Sequence, residues 1–292
     1  MGLSDVFRQF NRSWSQRVGL LDANHLGTGR PLNQSRLLFE IAHAPGGRIG
    51  VLDLRARLGL DSGYLSRMLT HLADEGLVVV AEDREDRRRR IVSLTRPGTE
   101  AAELLDLRSE GLVERLVAPL SPGQRRRLEE ALATADLLLR AATLEFREVP
   151  PDGPLARQAM EHYFAELDAR FPSGFEVSDE AVDPEAYCLA ALSDGRLVAF
   201  GAYRPLSQRD AEIKRLWTSP DWRGAGVASR LMRLLEEHAA ASGFGRAVLD
   251  TNEHLHEAVA LYDRAGYERI ERYNDNPYAT SFHAKVLRAP HS

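Results

Sequence analysis

The sequence predicts two domains of different class. The first half is mainly α-helical, built on a helix-turn-helix followed by a β-hairpin; the second is α/β with a mixed sheet. Three observations carry this reading. The 292 residues are enough for two hydrophobic cores. Apolar residues recur at helical spacing up to about Thr143, whereas strands alternate with helices beyond it. A glycine-bearing turn, "WRGAGVAS", then leads into a long amphipathic helix. The boundary is drawn between residues 144 and 145.

Composition narrows the function classes. With 43% hydrophobic and 28% charged residues the chain has the make-up of an ordinary globular protein. No apolar run is long enough to span a membrane, and "MGLSDVFRQFNRSW" lacks the apolar centre of a signal peptide. Val6 stands where myristoylation prefers Ser or Thr. Cys188 is the single cysteine, which excludes an internal disulfide and a multi-cysteine zinc site. A cytoplasmic protein with no membrane partner is expected. The net charge of −5 conceals an asymmetry: residues 1–144 hold 21 arginines against 19 acidic residues, leaving 17 basic against 24 acidic in the rest. Lys214 and Lys285 are the chain's two lysines, so the first half is basic through arginine alone.

The N-terminal elements follow in order. "NQSRLLFEIAHAPGG" is a helix with Leu37, Leu38 and Ile41 inward, stopped by Pro45, Gly46 and Gly47. "IGVLDLRARLGL" is a short helix ended by Gly59. "DSGYLSRMLTHLADEGLV" is a third, capped by Asp61 or Ser62 and stopped at Gly76. In it Leu65, Met68, Leu69 and Leu72 share one face, leaving Gly63, Tyr64, Ser66, Arg67, Thr70 and His71 on the others. Such a pair fits a helix-turn-helix, and equally two helices of any bundle. The next stretch favours the first. "LVVVAEDREDRRRRIVSLT" is a strand, a turn bearing Arg84, Arg87, Arg88, Arg89 and Arg90, and a second strand; the basic tip can lie along DNA phosphates.

"LSRMLTHLADEGLV" followed by "DREDRRRRIVSLTRPG", with Asp86, Arg88, Leu94 and Thr95 in the wing pattern, resembles the MarR family of winged helix-turn-helix repressors. The resemblance implies an operator of double-stranded DNA. Ser62, Gly63, Tyr64, Ser66, Arg67 and Thr70 would face its major groove, with Arg84, Arg87, Arg88 and Arg90 at the wing. It also implies a homodimer packed through the segment around residues 4–25 and two helices over roughly 97–143. The apolar face of Leu128, Leu132, Ala135 and Leu139 suits that packing.

In the second half, "LEFREV", "AYCLAAL", "LVAFGAY", "AEIKRLWTS" and "RAVLDT" read as strands, with helices at "PLARQAMEHYFAELDARF", after "RGAG" and at "HEAVALYDRAG". A terminal hairpin ends in "SFHAKVL". The glycine turn lacks the Gly-Lys-Ser/Thr of a Walker loop. It sits mid-sheet with Gly243 and Gly245 where a dinucleotide fingerprint needs an acid, which argues against that motif too. Arg223, Gly226 and Ala228, with "RLWTSPDW" before and "EAVALYDRAGY" after, are instead similar to the R-x-x-G-x-A loop and flanks of GNAT-family acyltransferases.

That resemblance implies acetyl-CoA as cofactor. The amides of Gly224, Ala225, Gly226, Val227, Ala228 and Ser229 would hold its pyrophosphate, helped by the helix dipole and Arg223. It places the thioester carbonyl at the amides of Leu216, Trp217 and Thr218, and gives Tyr262 the proton for the departing sulfur. Leu255 stands where many relatives have Asn, leaving Asn252 as the other candidate for that contact. Glu212 is the candidate base, acting through a water; strand alternation would set it beside Lys214, Leu216 and Thr218, so a plain Glu212–Lys214 pair stays open. Asp250 is a second candidate. His254 and His256 do not share a helix face and suggest no metal site. The chain is therefore expected to be a transcriptional regulator that acetylates an amino group of a small molecule, with Tyr187, Tyr203, Tyr273, Tyr278 and "NDNPYA" available to shape the acceptor pocket. Two alternatives stay open: the second half only senses acetyl-CoA, or the first is only a dimer scaffold.

Overall fold

The computed structural model describes residues 2–19, 24–83, 86, 88–171, 174–175 and 183–288. The chain divides into two units, Met1–Arg127 and Leu128–Ser292. In the first, α1 (Leu3–Arg17), α2 (Leu32–Ala42), β1 (Arg48–Gly50), α3 (Val51–Leu58), α4 (Ser62–Asp74), β2 (Val78–Glu82), β3 (Arg90–Leu94) and α5 (Arg96–Val117) follow one another, and α6 (Pro122–Ala142) crosses the division. Leu37, Leu38 and Ile41 of α2 are buried, with Leu65, Met68, Leu69 and Leu72 of α4, as their helical spacing predicts. The Asp61 carboxylate caps α4, accepting from the amides of Gly63 and Tyr64 at 2.9 and 3.1 Å. These bonds hold its pKa below the usual carboxylate range, the Tyr64 amide most.

The small sheet runs β1-β3-β2, antiparallel throughout. β1 is a difference from the sequence reading, which absorbed Ile49 and Gly50 into α3. Ile49 pairs with Val92 and both are buried, so tertiary pairing draws these residues out of the helix. At the start of α5 the Thr95 hydroxyl accepts from the Gly98 amide at 3.1 Å. Gly98 lies so close to Leu77 that a Cβ there would stand 1.9 Å from the Leu77 carbonyl oxygen.

The second unit contains β4 (Glu145–Val149), α7 (Pro154–Arg170), β5 (Tyr187–Ser193), β6 (Arg196–Pro205), β7 (Asp210–Thr218), α8 (Val227–Ala241), β8 (Arg246–Thr251), α9 (His256–Arg264), β9 (Glu268–Ile270) and β10 (Ser281–Val286). The seven strands are ordered β4-β5-β6-β7-β8-β10-β9. Only β7 and β8 run parallel among the described pairs. Alternation along β5 sends Cys188, Ala190 and Leu192 to the α7 face, and Leu189 and Ala191 to the face covered by Leu231 and Leu235 of α8. The last turns of α6 join this second core through Leu137 and Ala141, and Arg140 lies 4.8 Å over the Trp222 ring.

Two irregularities open the sheet. β7 and β8 pair only from Asp210↔Arg246 to Glu212↔Val248, and beyond that both continue unpaired with each other. On its other edge β7 carries a bulge: Ala202 pairs with Lys214 but Phe200 with Trp217, so β7 has one extra residue there. Arg215, in the bulge, has φ = +58°. The alternation expected from Glu212 to Thr218 is therefore interrupted. Lys214 and Trp217 share the face of Phe200 and Ala202, whereas Thr218 pairs with Ala199 and points to the other.

Candidate active site and nucleic-acid interface

Where β7 leaves β8, a cavity of about 470 Å³ opens between β7, the glycine turn and α9. Gly224 and Gly226 have φ of +80° and +76°, a region that L side chains disfavour, and space is open where a Cβ would stand. The amides of residues 224–229 have no acceptor among the described residues. They gather at the N-terminus of α8, the positive end of its dipole. Leu216, Trp217 and Thr218 line the same cavity with Ala228 and Ser229. The Thr218 hydroxyl is buried without a partner among the described residues. Ala225 packs instead against the core.

A second cavity, of about 400 Å³, lies toward β8 and the segment 274–279. It shares Tyr163, Leu167, Leu216, Leu255, Ala258 and Tyr262 with the first, so the two adjoin along these side chains. Tyr262 is 7% exposed, and its hydroxyl has no hydrogen-bond partner among the described residues. Burial raises its pKa, which keeps the phenol protonated at neutral pH.

In the first unit Ser62, Ser66, Arg67 and Thr70 are exposed on α4, and Gly63 is half-buried. Tyr64 is half-buried and its hydroxyl accepts from Asn33 at 2.7 Å, which ties it to α2. At the hairpin tip the Asp86 carboxylate accepts from the Arg88 amide at 3.0 Å, and Arg89 reaches Asp53 at 3.4 Å. Arg88 and Arg90 are exposed. Arg84 and Arg87 lie outside the described residues.

Comparison with known proteins agrees with both geometries. Residues 151–267 match the acetyltransferase (GNAT) family and residues 28–89 the MarR family. The chain joins a MarR-family domain to a GNAT-family N-acetyltransferase domain. It is 29% identical over 132 residues to the uncharacterized N-acetyltransferase YjgM of Escherichia coli, a match that covers 41% of this chain and 78% of that one. It is 31% identical over 106 residues to the uncharacterized HTH-type transcriptional regulator YdgJ of Bacillus subtilis, covering 36% and 63%. An acetyltransferase of the GNAT family from Staphylococcus aureus has a solved structure with a TM-score of 0.44 and 12% identity, covering 50% of this chain and 100% of its own. No helix among the described residues is long and apolar enough to cross a membrane.

Within the GNAT domain two expected residues stand differently from the sequence reading. The Arg223 guanidinium is bonded to the Thr218 carbonyl at 3.2 Å and to the Glu166 carboxylate at 2.6 Å, so its charge is shared with α7. Glu166 also binds Arg170, which bridges to Glu257. Glu212 is fully buried and is not part of either cavity wall. Its carboxylate accepts from Arg204 at 2.7 Å, Tyr273 at 3.1 Å and Asn274 at 3.2 Å, and Lys214 stands 3.5 Å away. Burial alone would raise its pKa; Lys214 and Arg204 outweigh that and hold it below the usual range. A carboxylate so satisfied is a poor proton acceptor.

Asp250 faces the second cavity: Oδ2 accepts from Asn276 at 2.6 Å and Asn274 at 3.3 Å, and Oδ1 has no partner among the described residues. Asn252 lines this cavity too, its amide donating to the Tyr278 carbonyl. Tyr187 and Tyr203 lie elsewhere, around the His238 ring. Phe171, Phe175 and Glu166, which shape the cavity walls, went unremarked in the sequence. Glu166 meets Arg223 across 57 positions, and no local pattern links them.

Proposed function

We propose that the GNAT domain transfers the acetyl group of acetyl-CoA to a small primary amine, and that the MarR domain binds operator DNA as a homodimer. The observation that carries the enzymatic reading is the meeting of two cavities at Tyr262, whose hydroxyl has no partner among the described residues. Unpaired amides at a helix N-terminus and two left-handed glycines suit a pyrophosphate, and the cavity behind them suits the pantetheine arm. Bound there, acetyl-CoA supplies an activated acyl group.

The chain's own residues do the rest. The amides of 224–229 hold phosphate oxygens, and the edge of β7 over residues 216–218 that β8 leaves uncovered orients the acyl arm. Asp250 Oδ1 takes up the acceptor's ammonium and its proton, directly or through a water, in place of Glu212. Tyr262 delivers a proton to the leaving sulfur. Glu212 acts one layer behind, as the anchor of Arg204 and Lys214.

The DNA-binding reading rests on the exposed Ser62, Ser66, Arg67 and Thr70 of a capped α4, beside a hairpin whose tip carries Arg88 and Arg90. Dimerisation is supported by apolar faces that one copy leaves open. On α1 these are Val6, Phe7, Phe10 and Trp14; on α6 they are Leu128, Leu132 and Leu139. Acetyl-CoA-dependent thiol release across a panel of primary amines tests the enzyme; binding of acetyl-CoA without release from any amine would make the domain a sensor. Sedimentation at twice the chain mass tests the dimer.

A further inference from the structure

The second cavity contains two groups of opposite charge, each with bonding capacity to spare. One is Asp250, whose Oδ1 has no partner among the described residues. The other is Lys214. Its partner Glu212 already accepts from Arg204, Tyr273 and Asn274, so Lys214, at 3.5 Å, is the loosest of its contacts. Asp183 stands 3.9 Å from the far side of Arg204, which leaves Lys214 as the less compensated cation. Asn274 spans the two sites, touching Glu212 at 3.2 Å and Asp250 at 3.3 Å, so cation and anion stand within a short molecule's reach of each other.

Beside the polar Thr251, Asn252, Asp275 and Asn276, one side of the wall is aromatic. Tyr278 packs with its ring 4.7 Å from Phe175 and 5.9 Å from Phe171, and Leu167 and Leu255 border the same space. A polyamine would bring several positive charges to a wall where Arg204, Lys214 and Arg215 already outnumber the carboxylates of Asp250 and Asp275. A simple monoamine would leave Lys214 with nothing but the carboxylate of Glu212, which it shares with Arg204. A zwitterion satisfies both ends, and the aromatic wall selects a large apolar side chain beside them.

We propose that the acceptor is a free α-amino acid with an aromatic or large apolar side chain, its carboxylate on Lys214 and its amino group at Asp250. This rests on the acetyltransferase reading above. In the reaction the ammonium loses its proton toward Asp250, and its lone pair forms the new C–N bond to the acetyl carbon. The C–S bond breaks, and the thiolate takes a proton from Tyr262. The products are an N-acetyl amino acid and free thiol.

Calorimetry with L-phenylalanine, 2-phenylethylamine and spermidine tests the assignment on the full chain, with thiol release measured in parallel. L-Phenylalanine is expected to bind about tenfold or more tightly than either amine, the range of a charge-assisted contact. Lys214→Met is expected to abolish that advantage by weakening L-phenylalanine while binding of 2-phenylethylamine holds, which also reports an intact fold. If the Met variant does not fold, Lys214→Arg, which keeps the charge, is expected to retain the preference. Equal or tighter binding of 2-phenylethylamine or spermidine, or no binding of L-phenylalanine, overturns the assignment. Faster acetylation of 2-phenylethylamine than of L-phenylalanine overturns it and leaves the acetyltransferase reading standing. Binding of L-phenylalanine with no thiol release from any amine does the reverse.

Discussion

Glu212 has no exposed surface, yet it remains charged because Arg204, Lys214, Tyr273 and Asn274 surround it. Its folded pKa lies below the unfolded value, so it binds a proton less readily when folded. Its stabilising contribution is present above the unfolded value of about 4.3 and is lost as pH falls through the folded one. Glu212→Gln is expected to be less stable than the parent at pH 7, since two cations lose their anion, with the two curves converging on acidification. Urea midpoints measured from pH 7 to 3 check this; a constant gap across that range contradicts it. Cys188 stands at the opposite extreme: burial pushes its thiol up to about 12, leaving it inert at neutral pH.

At the scale of elements, the glycine turn and α8 act together. Gly226→Asp puts a carboxylate among the amides of 224–229, and acetyl-CoA affinity is expected to fall at least about tenfold in calorimetry. Gly226→Asn, which tolerates the left-handed backbone without adding charge, is expected to lose less; equal losses would point to backbone strain instead. In the wing, replacing Arg88 and Arg90 by Ala is expected to lower the slope of log affinity against log salt by up to about two, one for each phosphate contact. Gel shifts at several salt concentrations measure it, and an unchanged slope contradicts wing contact.

The helices and strands were largely legible in the sequence because their signals are local. Spacing exposed the buried face of α4, and the glycine turn before α8 is contiguous. The bulge at Arg215 was not legible: an arginine at φ = +58° has no sequence mark, and the extra residue is defined only by pairing with β6. Nor could sequence rank the two candidate bases: Glu212, chosen for its place early on the central strand, is buried among partners, whereas Asp250, the second candidate, faces a cavity.

Across the whole molecule, the chemistry of the lysines limits how the two activities can be linked. Residues 1–144 contain no lysine, so acetylating side-chain amines of the MarR domain cannot switch DNA binding. Lys285 is bonded to Glu236 at 2.5 Å and Lys214 faces Glu212, so neither is a ready target. Any coupling would therefore run through ligands that bind DNA-competent and DNA-incompetent forms unequally. Operator affinity after incubation with acetyl-CoA, once small molecules are removed, is expected to return to its starting value; a lasting loss with acetyl groups on Lys214, Lys285 or the N-terminal amine contradicts this. The central claim, acetyl transfer at the Tyr262 junction, is tested most directly by counting both products of one reaction. With acetyl-CoA and an accepted amine, free thiol and N-acetyl product are expected in equal amounts. Tyr262→Phe should lower that rate about 100-fold while acetyl-CoA affinity holds. Thiol release without an acetylated amine, or an unchanged rate in Tyr262→Phe when chemistry limits turnover, would contradict the account.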